Sequence, residues 1–232
     1  MKDQIILYNG PNSPFGRKTK VTALVQEIDV EEKIIDIYNA DFLDKFNPLR
    51  KIPTLVINQL SITDSDNICF YLDSISEKET LFPKKDYWQI MNNTSIANGL
   101  MESVLERRME TIRPENEKSN NFIKKQEARI KRTIKWLENN WNNFSEDYLT
   151  MDQIAVGCAL DYAIFRYNED WKLENIKLNN WFNKFVEKDF MKSTIPQKKL
   201  IIIKHWSFFP IKPGNGIMSP HHFSIILFCN FS

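Results

Sequence analysis

The chain has 232 residues, of which 42% are apolar and 26% charged, with a formal net charge of +1. That is enough apolar side chain for a core, in one large domain or two smaller ones. The near-neutral balance gives no electrostatic case for nucleic acid or an anionic membrane surface. The opening MKDQIILYNG has a short apolar run and no small-residue cleavage site, so no secretory signal is expected. The longest apolar stretch, FSIILFCNF, is about half the length a bilayer demands. Cys69, Cys158 and Cys229 are scattered, odd in number and form no CxxC, which predicts no disulfide framework and a cytoplasmic location.

In chain order, QIILY reads as a strand and SPFGRKTKVTALVQEI as a helix. Ser13 is a favoured N-cap and Pro14 a favoured first helical residue. Val21, Leu24, Val25 and Ile28 recur at helical spacing and predict one buried face. EKIIDIY alternates like a strand, DFLDKF reads as a short helix, and PTLVI and SITDS predict a hairpin. DSDNICFYLDSIS then reads as a helix with Ile68, Leu72 and Ile75 on one side. Strands alternating with helices predict an α/β layer over residues 1–78. A polar segment with Pro83 predicts a linker at residues 79–84.

Residues 85–197 read as an all-helical bundle. A long helix runs through DYWQIMNNTSIANGLMESVLERRMETI to Arg113, and Pro114 is expected to open the next. Two more follow, one over LTMDQIAVGCALDYAIFRY and one over KLNNWFNKFVEKDF. Residues 198–232 contain no acidic residue and hold His205, His221 and His222, which predicts an atypical, poorly packed apolar and basic tail. Two adjacent histidines close no metal site, so no metal is expected. IKKQEARIKR is interrupted by Glu127 and reads as a solvated helix face.

Three stretches bear on chemistry. SPFGRK follows the first strand and places a helix N-terminus where an anion or thiolate is stabilised. NPLRKIPTLV sets Pro53 directly before a strand, a setting in which an Ile–Pro bond is cis when a specific turn requires it. TDSDNI opens a second helix at Asp64-Ser65. Each alone also reads as an ordinary turn or cap.

In this order, with a linker near residue 80, a helical second half and the box Thr150-Met151-Asp152-Gln153, the chain resembles the cytosolic glutathione S-transferases over residues 3 to 197. It is most similar to bacterial members beginning Ser-Pro-Phe-x-Arg-Lys. Gln153 stands where the family usually has Asp, and Gln also closes a capping box.

The resemblance implies a thioredoxin-like N-terminal domain followed by a C-terminal helical bundle. It implies a serine hydroxyl, Ser13, donating to the thiolate of glutathione, which attacks a small electrophile. Glutathione is then a co-substrate, with no permanently bound cofactor. Lys51, Ile52, Pro53, Asp64 and Ser65 are its implied contacts, and Arg17 on the first helix reads first as a structural residue and second as a support for the site. Phe15, Met101, Leu105, Arg108, Tyr162 and Phe165 are candidates for the electrophile pocket. Arg107, Arg108 and Arg113 form a basic cluster that reads as an anion selector or a solvated or dimer-facing patch. A homodimer is implied. The alternative is a non-catalytic binding or interaction protein on the same scaffold.

Overall fold

The computed structural model describes residues 4–145 and 147–196, together with two short strands, β5 (Ile201–Ile202) and β6 (Ile226–Leu227), that pair antiparallel. The expectations for the histidines and Cys229 of the tail lie outside the described residues.

The chain begins β1 (Ile5–Asn9), α1 (Pro14–Val25), β2 (Glu31–Ile34), β3 (Thr54–Ile57), β4 (Leu60–Thr63) and α2 (Ser65–Ser74). The sheet order is β2-β1-β3-β4, with β1 parallel to β2 and antiparallel to β3, and β3 antiparallel to β4. DFLDKF forms a 3-10 segment, Asp41–Lys45, in place of an α-helix. Arg50 bonds Asp41 and Asp44 and holds that turn.

Helices follow: α3 (Tyr87–Thr111), α4 (Asn120–Asn139), α5 (Met151–Arg166), α6 (Trp171–Glu174), α7 (Ile176–Phe185) and α8 (Asp189–Lys192). The architecture is therefore an α/β, thioredoxin-like layer followed by an all-α part. Pro114 does not open α4. It precedes a 3-10 turn, and Ser119 caps the helix by accepting from the Phe122 N–H at 3.2 Å. A serine oxygen satisfies a first-turn N–H that Pro114 would leave orphaned further upstream. The segment between α2 and α3 is pinned: the Leu81 N–H donates to Asp73, the Leu81 carbonyl accepts from Met151, and Phe82 stacks on Phe70.

The core of the helical part gathers α3, α4, α5 and α7 around Leu100, Val104, Ile130, Ile154 and Leu178. Gly157 lets α7 approach α5 closely, since a Cβ there would meet the Phe185 ring at 2.4 Å. A smaller cluster around Leu7, Leu55, Ile68 and Leu72 fills one side of the sheet.

Two expectations about buried faces need correction. Val21 is buried, but Leu24 is 45% exposed, and Ile75 at the end of α2 is exposed too. The reason is that α1 is enclosed by α2, α5 and α8, so its buried arc is wider than one apolar stripe and takes in Arg17, Lys18, Thr19 and Thr22. The expected capping box does not form either. Thr150 makes no cap bond to the backbone and instead donates to Asp152 at 2.5 Å, while Gln153 reaches the Ser145 carbonyl. Asp152 also accepts from the Gln153 N–H at 3.0 Å and from Asn93 on α3 at 2.8 Å. The two oxygens of the Asp152 carboxylate thus accept from donors on two helices. Burial holds the Asp152 carboxyl above the usual carboxylate range.

The Lys18 side chain is fully buried. Its ammonium bonds Asp66 and, at 2.8 Å, Asn98 on α3, and Asn98 in turn donates to Asp66 at 2.8 Å, which closes a triangle. Lys18→Met keeps the stem and removes the charge. We expect it to lower stability by about 3 kcal/mol, the low end for breaking a buried pair because Asp66 keeps some access to water. Urea denaturation of the variant against the wild type measures the loss.

Candidate active site

Strand register assembles the site. Tyr8 of β1 lies opposite Thr54 of β3, and Thr54 lies opposite Thr63 of β4. The residues that follow β1, precede β3 and follow β4 therefore leave the sheet at the same end. These are the loop to Ser13, the Ile52-Pro53 step and the Asp64-Ser65 step. The three stretches, far apart in sequence, converge because of strand direction alone.

At the first of them, Ser13 caps α1. Its Oγ accepts from the Gly16 N–H at 3.1 Å, and its carbonyl accepts from Arg17 at 2.9 Å. A hydroxyl that accepts this way still has its own proton to give. The first turn of α1 carries no acidic residue, so no side chain of its own offsets the positive end of the helix. Gly16 has no room for a side chain: a Cβ would fall 1.6 Å from Asn9 Oδ1. Asn9 is held there by bonds to the Gly10 N–H and to Glu32. A thiol-bearing residue at position 16 would displace this buried asparagine.

At the second stretch the Ile52–Pro53 bond is cis. The Ile52 side chain lies over Gly10, whose absent Cβ would meet it at 2.4 Å and the Ser13 Cβ at 3.9 Å, so Ile52 and Ser13 border one glycine. Pro53 is buried. Asn47 and Thr54 bind the Lys51 carbonyl and fix the approach to the cis bond. The Lys51 side chain is exposed, and no carboxylate among the described residues pairs with it.

At the third, Asp64 sits at φ 71° and ψ 130°, outside the regions a non-glycine residue prefers. Its carboxylate caps α2 by accepting from the Asp66 N–H at 2.8 Å. Ser65, 6% exposed, is the first residue of α2. Its amide is one of the helix donors that have no partner inside the helix. Asp66 in the same turn would repel an anion there. Lys18 and Asn98 engage both of its oxygens, which leaves the positive end of α2 available. Sequence reasoning missed Lys18, Asn98 and Asp66. Lys18 and Asp66 stand inside SPFGRK and TDSDNI, but nothing local in those stretches signals a contact that spans three helices.

The pocket candidates divide. Phe15 and Phe165 are half-buried and pack against the helical core, as does Leu105. Met101 is fully buried and belongs to that core, which removes it from any surface of a pocket. Tyr162 is buried, with its phenol pushed up by burial. The three arginines of ERRMETIR do not act together. Arg107 pairs with Glu127 at 2.8 Å and lies over the Tyr167 ring, and Arg113 meets Glu110 and Glu117. Arg108 has no acidic partner among the described residues, and its charge reaches Tyr162 and Arg166 on α5. Arg166, four residues beyond Tyr162 on one helical face, went unrecognised in the sequence.

The Arg17 guanidinium bonds Asp161 on α5 at 2.5 Å, the Met191 carbonyl at 3.1 Å and Thr194 at 3.1 Å. It fixes α1 to the helical part. The thiols of Cys69 and Cys158 are fully buried and pushed up to about 12 and about 11 by that burial, so neither is a nucleophile at neutral pH. Among the described residues no group of His, Cys, Asp and Glu is arranged to hold a metal ion, and no helix is long and apolar enough to cross a membrane.

Comparison with known proteins bears on the same residues. The sequence model of the glutathione S-transferase N-terminal domain matches residues 7–80, the span that holds Ser13, Pro53 and Ser65. An uncharacterized GST-like protein of Escherichia coli (strain K12), YibF, is 29% identical over 160 residues, which is 66% of this chain and 79% of that protein. A glutathione S-transferase from Methylobacillus flagellatus KT, solved with GSH bound, is 26% identical with a TM-score of 0.80, covering 84% of this chain and all of the other. A glutathione transferase family member from Pseudomonas fluorescens Pf-5, solved with bound glutathione, is 25% identical with a TM-score of 0.78 over the same shares. Over residues 7–80 the chain thus matches the glutathione S-transferase N-terminal domain, and over 84% of its length it is similar in fold to such structures.

Proposed function

We propose that this chain is a glutathione transferase in which the Ser13 hydroxyl activates the glutathione thiol for attack on a small electrophile. One observation carries the reading. Ser13 Oγ spends an acceptor site on the Gly16 N–H, at the positive end of a helix without an acidic first turn, and so keeps a donor for a thiolate. The binding of glutathione reported for similar structures supports it.

A free thiol titrates near pH 8.5, and a shift of about two units requires roughly 2.7 kcal/mol of selective thiolate stabilisation. A hydrogen bond to a charged group contributes about 1.5–3 kcal/mol, and a helix N-terminus about 0.3–1 kcal/mol. The two together suffice. The thiol proton leaves to water, and the sulfur lone pair forms a C–S bond to the electrophilic carbon. The leaving group departs with its bonding pair, and Ser13 itself stays unmodified.

In this reading the Ile52 backbone beside cis-Pro53 aligns the cysteinyl unit. The Ser65 hydroxyl and N–H hold the γ-glutamyl carboxylate at the start of α2, and Asp64 meets the amine with the oxygen its cap leaves over. Lys51 reaches the glycyl carboxylate. Phe15, Arg108, Tyr162 and Phe165 border the electrophile. A homodimer fits the exposed Tyr38, Phe42 and Leu49 between β2 and β3, which form apolar surface a second copy would cover. Light scattering is expected to give twice the chain mass of 27.5 kDa.

Calorimetric titration tests the glutathione site. The wild type is expected to bind glutathione and Ser65→Ala to bind at least about tenfold more weakly, a loss of about 1.4 kcal/mol. Conjugation of 1-chloro-2,4-dinitrobenzene tests the serine: Ser13→Ala should lose at least about tenfold in kcat, with KM for glutathione little changed. A wild type that binds no glutathione at millimolar concentration refutes the proposal.

A further inference from the structure

Two half-buried guanidinium groups of the helical part have no acidic partner among the described residues. Arg17, Arg50, Arg107, Arg113 and Arg129 each lie within ion-pair distance of a carboxylate, and Arg132 is exposed. The two groups are Arg108 on α3 and Arg166 on α5. Asn93 bonds Asp152 near the start of both helices and Arg107 lies over Tyr167 near their ends, so Arg108 and Arg166 stand at the same end of the α3–α5 pair. The Arg166 guanidinium carbon lies 4.1 Å from the centroid of the Phe165 ring, and Tyr162 stands one turn before it on α5. Burial and the nearby charge of Arg108 both disfavour the charged form of Arg166.

Half-buried positive charges beside each other are unfavourable unless an anion joins them. Their N–H groups present the fork that matches a carboxylate. The location ties them to the proposed chemistry. Asp161, next to Tyr162, is bonded to Arg17 on α1, four residues from Ser13, and Phe165 lies one turn further along the same face of α5.

We propose that Arg108, Arg166 and the Tyr162 hydroxyl form an anion subsite in the electrophile pocket, which selects a second substrate bearing a carboxylate. This rests on the glutathione site proposed above. The carboxylate bridges the two guanidinium groups, and its carbon frame lies along Phe165 and Phe15. The same chemistry would suit a carboxylate of glutathione itself, so the test separates the two sources.

Calorimetry with S-(4-carboxybenzyl)glutathione, its isosteric carbamoyl analogue and glutathione tests this on the wild type. The carboxyl conjugate is expected to bind at least tenfold tighter than the carbamoyl one, with the preference shrinking as salt is raised. Arg166→Gln should reduce the preference to less than threefold, and Arg166→Lys should retain part of it. Equal wild-type affinities for the two conjugates, with glutathione still bound, overturn the subsite and leave the glutathione site standing. Arg166→Gln that weakens glutathione itself as much as the carboxyl conjugate also overturns it, because the pair then serves glutathione. No binding of any of the three ligands overturns both readings.

Discussion

Two adjacent cations on one helix hold this molecule in register. Arg17 and Lys18 are both buried, and they reach in different directions. Arg17 binds Asp161 on α5 and the chain around α8, and Lys18 binds Asp66 at the start of α2 and Asn98 on α3. Buried charges are tolerated only when paired and hydrogen-bonded. Each pair therefore fixes geometry as well as energy, because a displacement of α1 exposes an uncompensated charge on one side or the other. The helix so fixed is the one that presents Ser13.

The consequence for chemistry is electrostatic. Two helix N-termini, those of α1 and α2, open at the same end of the sheet, and each is kept positive in a different way. The first turn of α1 has no acidic residue. The first turn of α2 has Asp66, which Lys18 and Asn98 occupy on both oxygens. Such preorganised dipoles are effective because they need no rearrangement when negative charge arrives. Arg108 and Arg166, which have no acidic partner among the described residues, add positive charge on α3 and α5.

Much of the fold was legible in the sequence because hydrophobic period and cap chemistry are local. Ser13-Pro14, the hairpin before Asp64 and the long helices through Met151–Arg166 and Tyr87–Thr111 follow from such signals. The convergence of three distant stretches was legible only through resemblance, since register depends on strand pairing that no single stretch encodes. What escaped was polar and tertiary. Lys18 looks like any helix lysine until α2 and α3 close over it. Asp152 takes over a capping arrangement from Gln153 because Asn93 lies on another helix. Leu24 follows an apolar stripe yet faces solvent, because enclosure of α1 on several sides recruits charged residues inward. The three arginines of ERRMETIR look equivalent in sequence and part company only when glutamates of neighbouring turns and helices claim two of them.

The most direct test of the account is the titration of enzyme-bound glutathione followed by ultraviolet thiolate absorbance, in the wild type and in Ser13→Ala. The bound thiol is expected to titrate about two units below the free value near 8.5 in the wild type, and at least about one unit higher in the variant. A bound thiol with the same pKa in both proteins would contradict it, because the hydroxyl at the head of α1 would then contribute nothing to the thiolate.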